Sequence, residues 1–155
     1  MPPPDEGLVA QLVSLIDVRL LDPLEILVDG HPAVDSLRTV VRERARSWAT
    51  TMVGGDEQAA YGVIVRAIST LYPGDGPFNP PLVWWRTPLG QIVARRVGHP
   101  TAEAVSYAVA GAMLGITRQG VHDLASRGRL ARHPEGGVRS AAVRDRLVQE
   151  GTRRA

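Results

Sequence analysis

The stretch Tyr107 to Leu124, YAVAGAMLGITRQGVHDL, leaves less conformational freedom than any other part of the chain. Apolar residues recur at helical spacing on both sides of Gly115, with Ala110 and Leu114 before it, Ile116 beside it, and Val121 and Leu124 after it. Two helices that cross steeply at a glycine need this pattern. Apolar side chains must fill the crease, and a small residue, here Gly111, must stand where the backbones approach. Gly115 is free to take a positive φ at the end of the first helix, and Thr117 offers a hydroxyl cap to the second. What remains on the outer face is Arg118, Gln119 and His122, with Arg127 at the helix end, all able to donate hydrogen bonds.

Two helices joined in this way make a helix-turn-helix, and donor-rich side chains on the outer helix suit phosphates and major-groove base edges. Double-stranded DNA is therefore the expected partner. Downstream, SRGRLARHPEGGVRSAAVRDRL predicts a short basic strand, a turn around His133 to Gly137, a second short strand, and a helix capped by Ser140. From about Val105 to Leu147 the chain resembles the winged helix-turn-helix of MerR-type and phage-excisionase-type DNA-binding proteins, in which a segment like AMLGITRQGVHDLASRGRLAR precedes a wing and a further helix. The resemblance implies that Thr117 to Arg127 is the recognition helix and that Arg132 to Gly137, with His133, is the wing. Arg118, Gln119 and His122 would then read bases, while Arg127, Arg129, Arg132 and Arg139 hold phosphates. Two features depart from the pattern. The wing is short and carries Glu135, which a phosphate repels, and Gly120 inside the recognition helix costs about 1 kcal/mol relative to alanine. No coiled-coil heptads of the MerR kind follow the wing, so the excisionase-like end of the superfamily fits better.

Charge is unevenly distributed. Residues 1–80 hold 6 Arg against 11 Asp plus Glu, a balance of −5, whereas residues 81–155 hold 12 Arg against 5 Asp plus Glu, a balance of +7. A basic half beside an acidic half is expected when one part meets a polyanion, because counterion release drives affinity for phosphate backbones. Attraction between the two halves is the competing explanation, and the acidic half would then shield the basic one until a partner displaces it. Lysine is absent; with abundant Ala, Val and Gly this indicates a GC-rich genome rather than selection of Arg for bidentate guanine contacts.

The first half reads as a helical bundle. Leu8, Val9, Leu12, Val13, Leu15, Ile16 and Leu20 form a stripe on a helix expected to end before Pro23, and Leu24 to Val28 is a short apolar run that fits either a strand or a short helix. A helix beginning at Asp35 or Ser36 runs through Thr51 with Leu37, Val40, Val41, Ala45 and Trp48 on one face. Another, about Asp56 to Leu71, carries Tyr61, Ile64, Val65, Ile68 and Leu71. The segment YPGDGPFNPP, Tyr72 to Pro81, excludes regular structure and marks the boundary, giving a helical domain over 1–80 and a winged helix-turn-helix domain over 81–155. Thr87-Pro88 opens a further helix to about Val97. Trp84 and Trp85 suit packing between the halves better than base stacking, and Arg95 and Arg96 are either a phosphate clamp or a solvated face.

The expected fold is therefore mainly α, an N-terminal bundle followed by a winged helix-turn-helix with a small β wing. Catalytic motifs are missing: there is no phosphate-binding glycine loop, no paired-histidine helix and no nucleophile elbow, and His31, His99, His122 and His133 lie at no recognised ligand spacing. Asp123, beside His122, is expected on a different helix face. Cysteine is absent, which removes disulfides, thiolate metal sites and thiol chemistry. No enzyme activity, cofactor or metal is expected. With no leader and no apolar run near the roughly 20 residues that span a bilayer, the expected location is cytoplasmic and nucleoid-associated, with no membrane partner. The expected function is sequence-specific DNA binding by a transcriptional regulator, dimerised through the N-terminal half or joined there by a partner protein. The alternatives are a DNA-bending, excisionase-like recombination factor and an antitoxin-like adaptor.

Overall fold

The computed structural model describes residues 5–154, which are mainly helical with one two-stranded antiparallel sheet. They fall into two compact units divided between Pro73 and Gly74. The division comes near the start of the Tyr72–Pro81 segment rather than after residue 80. Phe78 explains the difference, because its ring meets Trp84 edge-on at 5.2 Å and Trp85 at 6.1 Å, tying the end of the segment into the second unit.

In the first unit, Asp5 caps α1 (Glu6–Ile16), its Oδ1 accepting from Gly7 N at 2.9 Å. The helix does not stop ahead of Pro23. It passes through a π-helical turn, Asp17–Leu21, and continues as α2, Asp22–Leu27. Proline lacks an N–H, and its ring collides with the carbonyl four residues back, so a wider turn at this point relieves the conflict. The extra residue also moves the buried stripe by one position: Leu20, four residues after Ile16, is 40% exposed, while Leu21 is 6% exposed. The 24–28 run is helical rather than extended through Leu27 and ends at Asp29 and Gly30, both with positive φ.

Helices α3 (Ala33–Val53) and α4 (Glu57–Leu71) complete the unit, and Asp56 caps α4 by accepting from Ala59 N at 2.9 Å. Their faces turn somewhat from the expected ones. Val34, Ala45, Ala49 and Met52 are buried on α3 while Leu37 and Val40 are exposed; on α4, Ala60 joins Ile64, Ile68 and Leu71, and Tyr61 and Val65 face outward. Small alanines at 45, 49 and 60 let the backbones approach closely, and this favours them over larger neighbours for the inner face. Arg38 draws together three carboxylates, Asp17 at 3.0 Å, Asp22 at 2.9 Å and Glu25 at 3.1 Å, joining the π turn and α2 to α3. Those partners, the Asp22 hydrogen bond first, hold the guanidinium above its ordinary pKa against the opposing effect of desolvation.

The second unit opens with a 3₁₀ turn over Leu82–Arg86, followed by α5 (Pro88–Arg96), which Thr87 caps. Trp85 is fully buried and Trp84 nearly so, edge-on to each other at 5.0 Å, so neither ring is offered to a base. Strand β1 (Ala104–Val105) leads into α6 (Tyr107–Leu114) and α7 (Arg118–Ser126), and strand β2 (Val138–Arg139) leads into α8 (Ser140–Arg154). The sheet pairs Ala104 with Arg139 and Val105 with Val138. Its first strand thus comes from ahead of the helix pair, whereas the basic strand expected after α7 is reduced to a single bridge, Arg132 to Val138. Glycine and charged residues dominate 126–132, so little apolar surface is available there to hold a strand. Ser140 is the first residue of α8, and its hydroxyl accepts from His99 N at 2.6 Å. No helix among the described residues is long and apolar enough to cross a membrane.

Candidate nucleic-acid interface

The joint between α6 and α7 follows from three local preferences. Ser106 caps α6 by accepting from Val109 N at 3.1 Å. Gly115 ends it at φ 72°, ψ 28°, a left-handed conformation that costs glycine nothing. Thr117 then caps α7 by accepting from Gly120 N at 3.0 Å. A Cβ on Gly111 would stand 2.8 Å from the Ile116 carbonyl oxygen, so the close approach expected here is tight enough to exclude even alanine without a backbone shift. At Gly120 the space is less restricted: a Cβ would stand 3.3 Å from the capping hydroxyl of Thr117, which would have to give by a few tenths of an ångström. Ala110 and Val121 are fully buried between the helices, with Leu114, Ile116 and Leu124 half-buried around them.

The outer face of α7 carries Arg118, Gln119 and His122, all exposed, with Thr117 exposed at its start. Asp123 does not lie apart from them. Its Oδ1 accepts from Gln119 Nε2 at 3.1 Å and stands 3.8 Å from His122 Nδ1. The i, i+4 relation to Gln119, not adjacency to His122, is the sequence signal that places it on this face. One amide hydrogen of Gln119 is thereby committed, leaving its carbonyl oxygen and second hydrogen free in a restrained orientation. The ring of Tyr107 meets that of His122 edge-on at 6.0 Å.

A shallow groove is lined by Ser106, Tyr107, Ala108, Arg118 and Gly137. It brings together the first turn of α6, the first turn of α7 and the end of the 133–137 turn, three places far apart in sequence. Serine one residue before a helical run was the available signal for Ser106; nothing in the sequence placed Gly137 beside it.

The arginines behave differently from one another. Arg127, Arg129 and Arg139 are exposed and have no acidic partner among the described residues, whereas Arg132 donates from Nη2 to Ser126 Oγ at 3.2 Å and so lies back toward α7. His133 is not presented outward. Its side chain is 13% exposed, with Nδ1 accepting from Glu135 N at 3.1 Å and Nε2 3.9 Å from Glu103 Oε2. It organises the turn, whose backbone closes through His133 N to Gly137 O at 3.0 Å. Glu135 is exposed at the turn. Among the described residues, no three His, Asp or Glu side chains are placed to hold a metal ion. Arg95 is exposed at the end of α5 and Arg96 half-buried, so the two do not form a paired clamp.

Comparison with known protein families, with curated proteins and with solved structures finds no match to this chain.

Proposed function

We propose that the chain is a sequence-specific double-stranded DNA-binding protein, a transcriptional regulator of the winged helix-turn-helix class related to the MerR and excisionase-like proteins, reading the major groove with α7. The observation that carries this reading is the exposed set Arg118, Gln119 and His122 on one face of a helix whose start is held by a left-handed glycine and a threonine cap. A reading helix needs a fixed start and exposed outer side chains, and α7 has both; beside its bond to Asp123, Gln119 keeps its carbonyl oxygen and one hydrogen for a base. The turn at 133–137 serves as the wing, and the N-terminal unit dimerises the protein so that two reading helices reach successive major-groove faces.

Arg118 pairs with guanine and Gln119 with adenine, the pairings their donors and acceptors allow. Arg127, Arg129 and Arg139 hold phosphates. Arg132 joins them by releasing Ser126, and His133 shapes the wing from within. The test is fluorescence-anisotropy titration on genomic fragments and on random duplex across a salt series. Arg118→Ala is expected to weaken the preferred site by about 1–3 kcal/mol and random DNA far less, while Arg139→Ala weakens both alike. Equal losses in both variants overturn the assignment of roles, and absence of binding at low salt overturns the reading.

A further inference from the structure

Between Glu103 and Glu135 the chain carries four arginines and one acidic residue, Asp123, and that residue stands on the face of α7 assigned above to the groove. A carboxylate there is repelled by every phosphate that the arginines attract. Its place calls for a reason other than affinity. An acid on a helix surface has its ordinary partner in a cation three or four residues away, and Arg127 is four residues on. That pair is not formed. Asp123 turns back instead, its Oδ1 accepting from Gln119 Nε2 at 3.1 Å. His122 Nδ1 stands 3.8 Å from the same oxygen, beyond hydrogen-bond reach, so Gln119 is the committed partner.

An ionised carboxylate accepts and never donates, so only the NH₂ end of Gln119 can face it, and the orientation of the amide is fixed. At the major-groove edge guanine offers two acceptors, O6 and N7, whereas adenine offers one acceptor, N7, and one donor, N6. An unattached glutamine can meet either base. It gives both NH₂ hydrogens to guanine, or one hydrogen and its carbonyl oxygen to adenine. With one hydrogen held by Asp123 the first option is gone, and the carbonyl oxygen left over would face an acceptor on guanine but a donor on adenine. We propose that Asp123 is a positioning residue for base recognition, which by occupying one hydrogen of Gln119 turns a two-way amide into an adenine reader. The inference rests on the DNA-reading function proposed above and assigns the selectivity of that site to a residue acting through Gln119.

The test is selection of bound sequences from a randomised duplex pool by the full-length wild type and its variants. The base pair read by Gln119 is the one whose preference disappears in Gln119→Ala. There the wild type should favour adenine over guanine about tenfold, and Asp123→Ala should cut the ratio to about threefold or less while leaving the pair read by Arg118 unchanged. Asp123→Asn, whose carbonyl can still accept from Gln119, should keep most of the ratio. In a Gln119→Ala background, Asp123→Ala should alter no preference. On a random duplex both Asp123 variants should bind at least as tightly as wild type, because a repelling charge is lost. A merely structural role predicts a lower urea midpoint and an equal loss at every base pair. That pattern, an unchanged ratio in Asp123→Ala, a wild-type preference other than adenine, or a loss in Asp123→Asn as complete as in Asp123→Ala would each overturn the proposal, as would Gln119→Ala leaving every preference intact. A wild type that selects no sequence removes the DNA-reading function and the inference with it. A wild type that selects through Gln119, unaffected by Asp123→Ala, removes the inference alone.

Discussion

His99 lies among aromatic rings, 5.5 Å from Trp85 and 6.0 Å from Phe78, with Nδ1 accepting from Thr101 N at 3.1 Å and Ala102 N at 3.0 Å. Burial holds its pKa below the ordinary value of 6.5, against a smaller opposing effect of its hydrogen bond to the Phe78 backbone. As pH falls below that ordinary value the unfolded chain gains the proton first, so acid favours unfolding until the folded-state pKa is passed. His99→Asn, which keeps an acceptor near the two amides and does not titrate, is expected to show a shallower fall in urea midpoint between neutral pH and about pH 5 than wild type. Equal slopes in the two proteins would remove His99 from the acid response. At this same scale the turn residues were legible in advance: Gly115, Thr117 and Gly111 each have one conformation or one packing distance that suits them. The roles of Asp123 and His133 were not, because a side chain's partner depends on which rotamer its surroundings leave open.

At the scale of elements, a regular helix through Ile16 would bury Leu20, and the π turn buries Leu21 in its place. Leu21→Ala is expected to cost about 2–5 kcal/mol of unfolding free energy, in the range of buried leucines elsewhere. Leu20→Ala should change stability by less than about 1 kcal/mol. Chemical denaturation of both variants checks this, and the reverse order would place the helix in ordinary register. Proline at 23 announced a disturbance, but whether a helix stops, kinks or widens depends on what lies against it, here α3 and its Arg38. The sheet teaches the same point. Strand β1 has two residues, too few for any periodicity, and exists because Val105 finds Val138 across the unit.

At the scale of the whole molecule, the proposed DNA reading makes a prediction about salt. Each arginine that neutralises a phosphate contributes to counterion release, so replacing Arg127, Arg129 and Arg139 together by alanine should lower the slope of log affinity against log salt by about one per residue, with discrimination through Arg118 retained. An unchanged slope would remove these three arginines from the phosphate contacts. Part of the acidic excess of the first unit is structural, since three of its carboxylates converge on the single guanidinium of Arg38. What the sequence determined by itself is local: which stretches are helical, the threonine caps at 87 and 117, the glycine joint between α6 and α7, and the outward set Arg118, Gln119 and His122, since these depend on φ/ψ preference and period along a single segment. Tertiary structure decided which flank of each helix faces inward, the pairing of β1 with β2 and the inward turn of His133. It also decided the meeting of Ser106, Arg118 and Gly137 at one groove. These outcomes depend on surfaces supplied by residues distant in sequence, and no period or propensity records them.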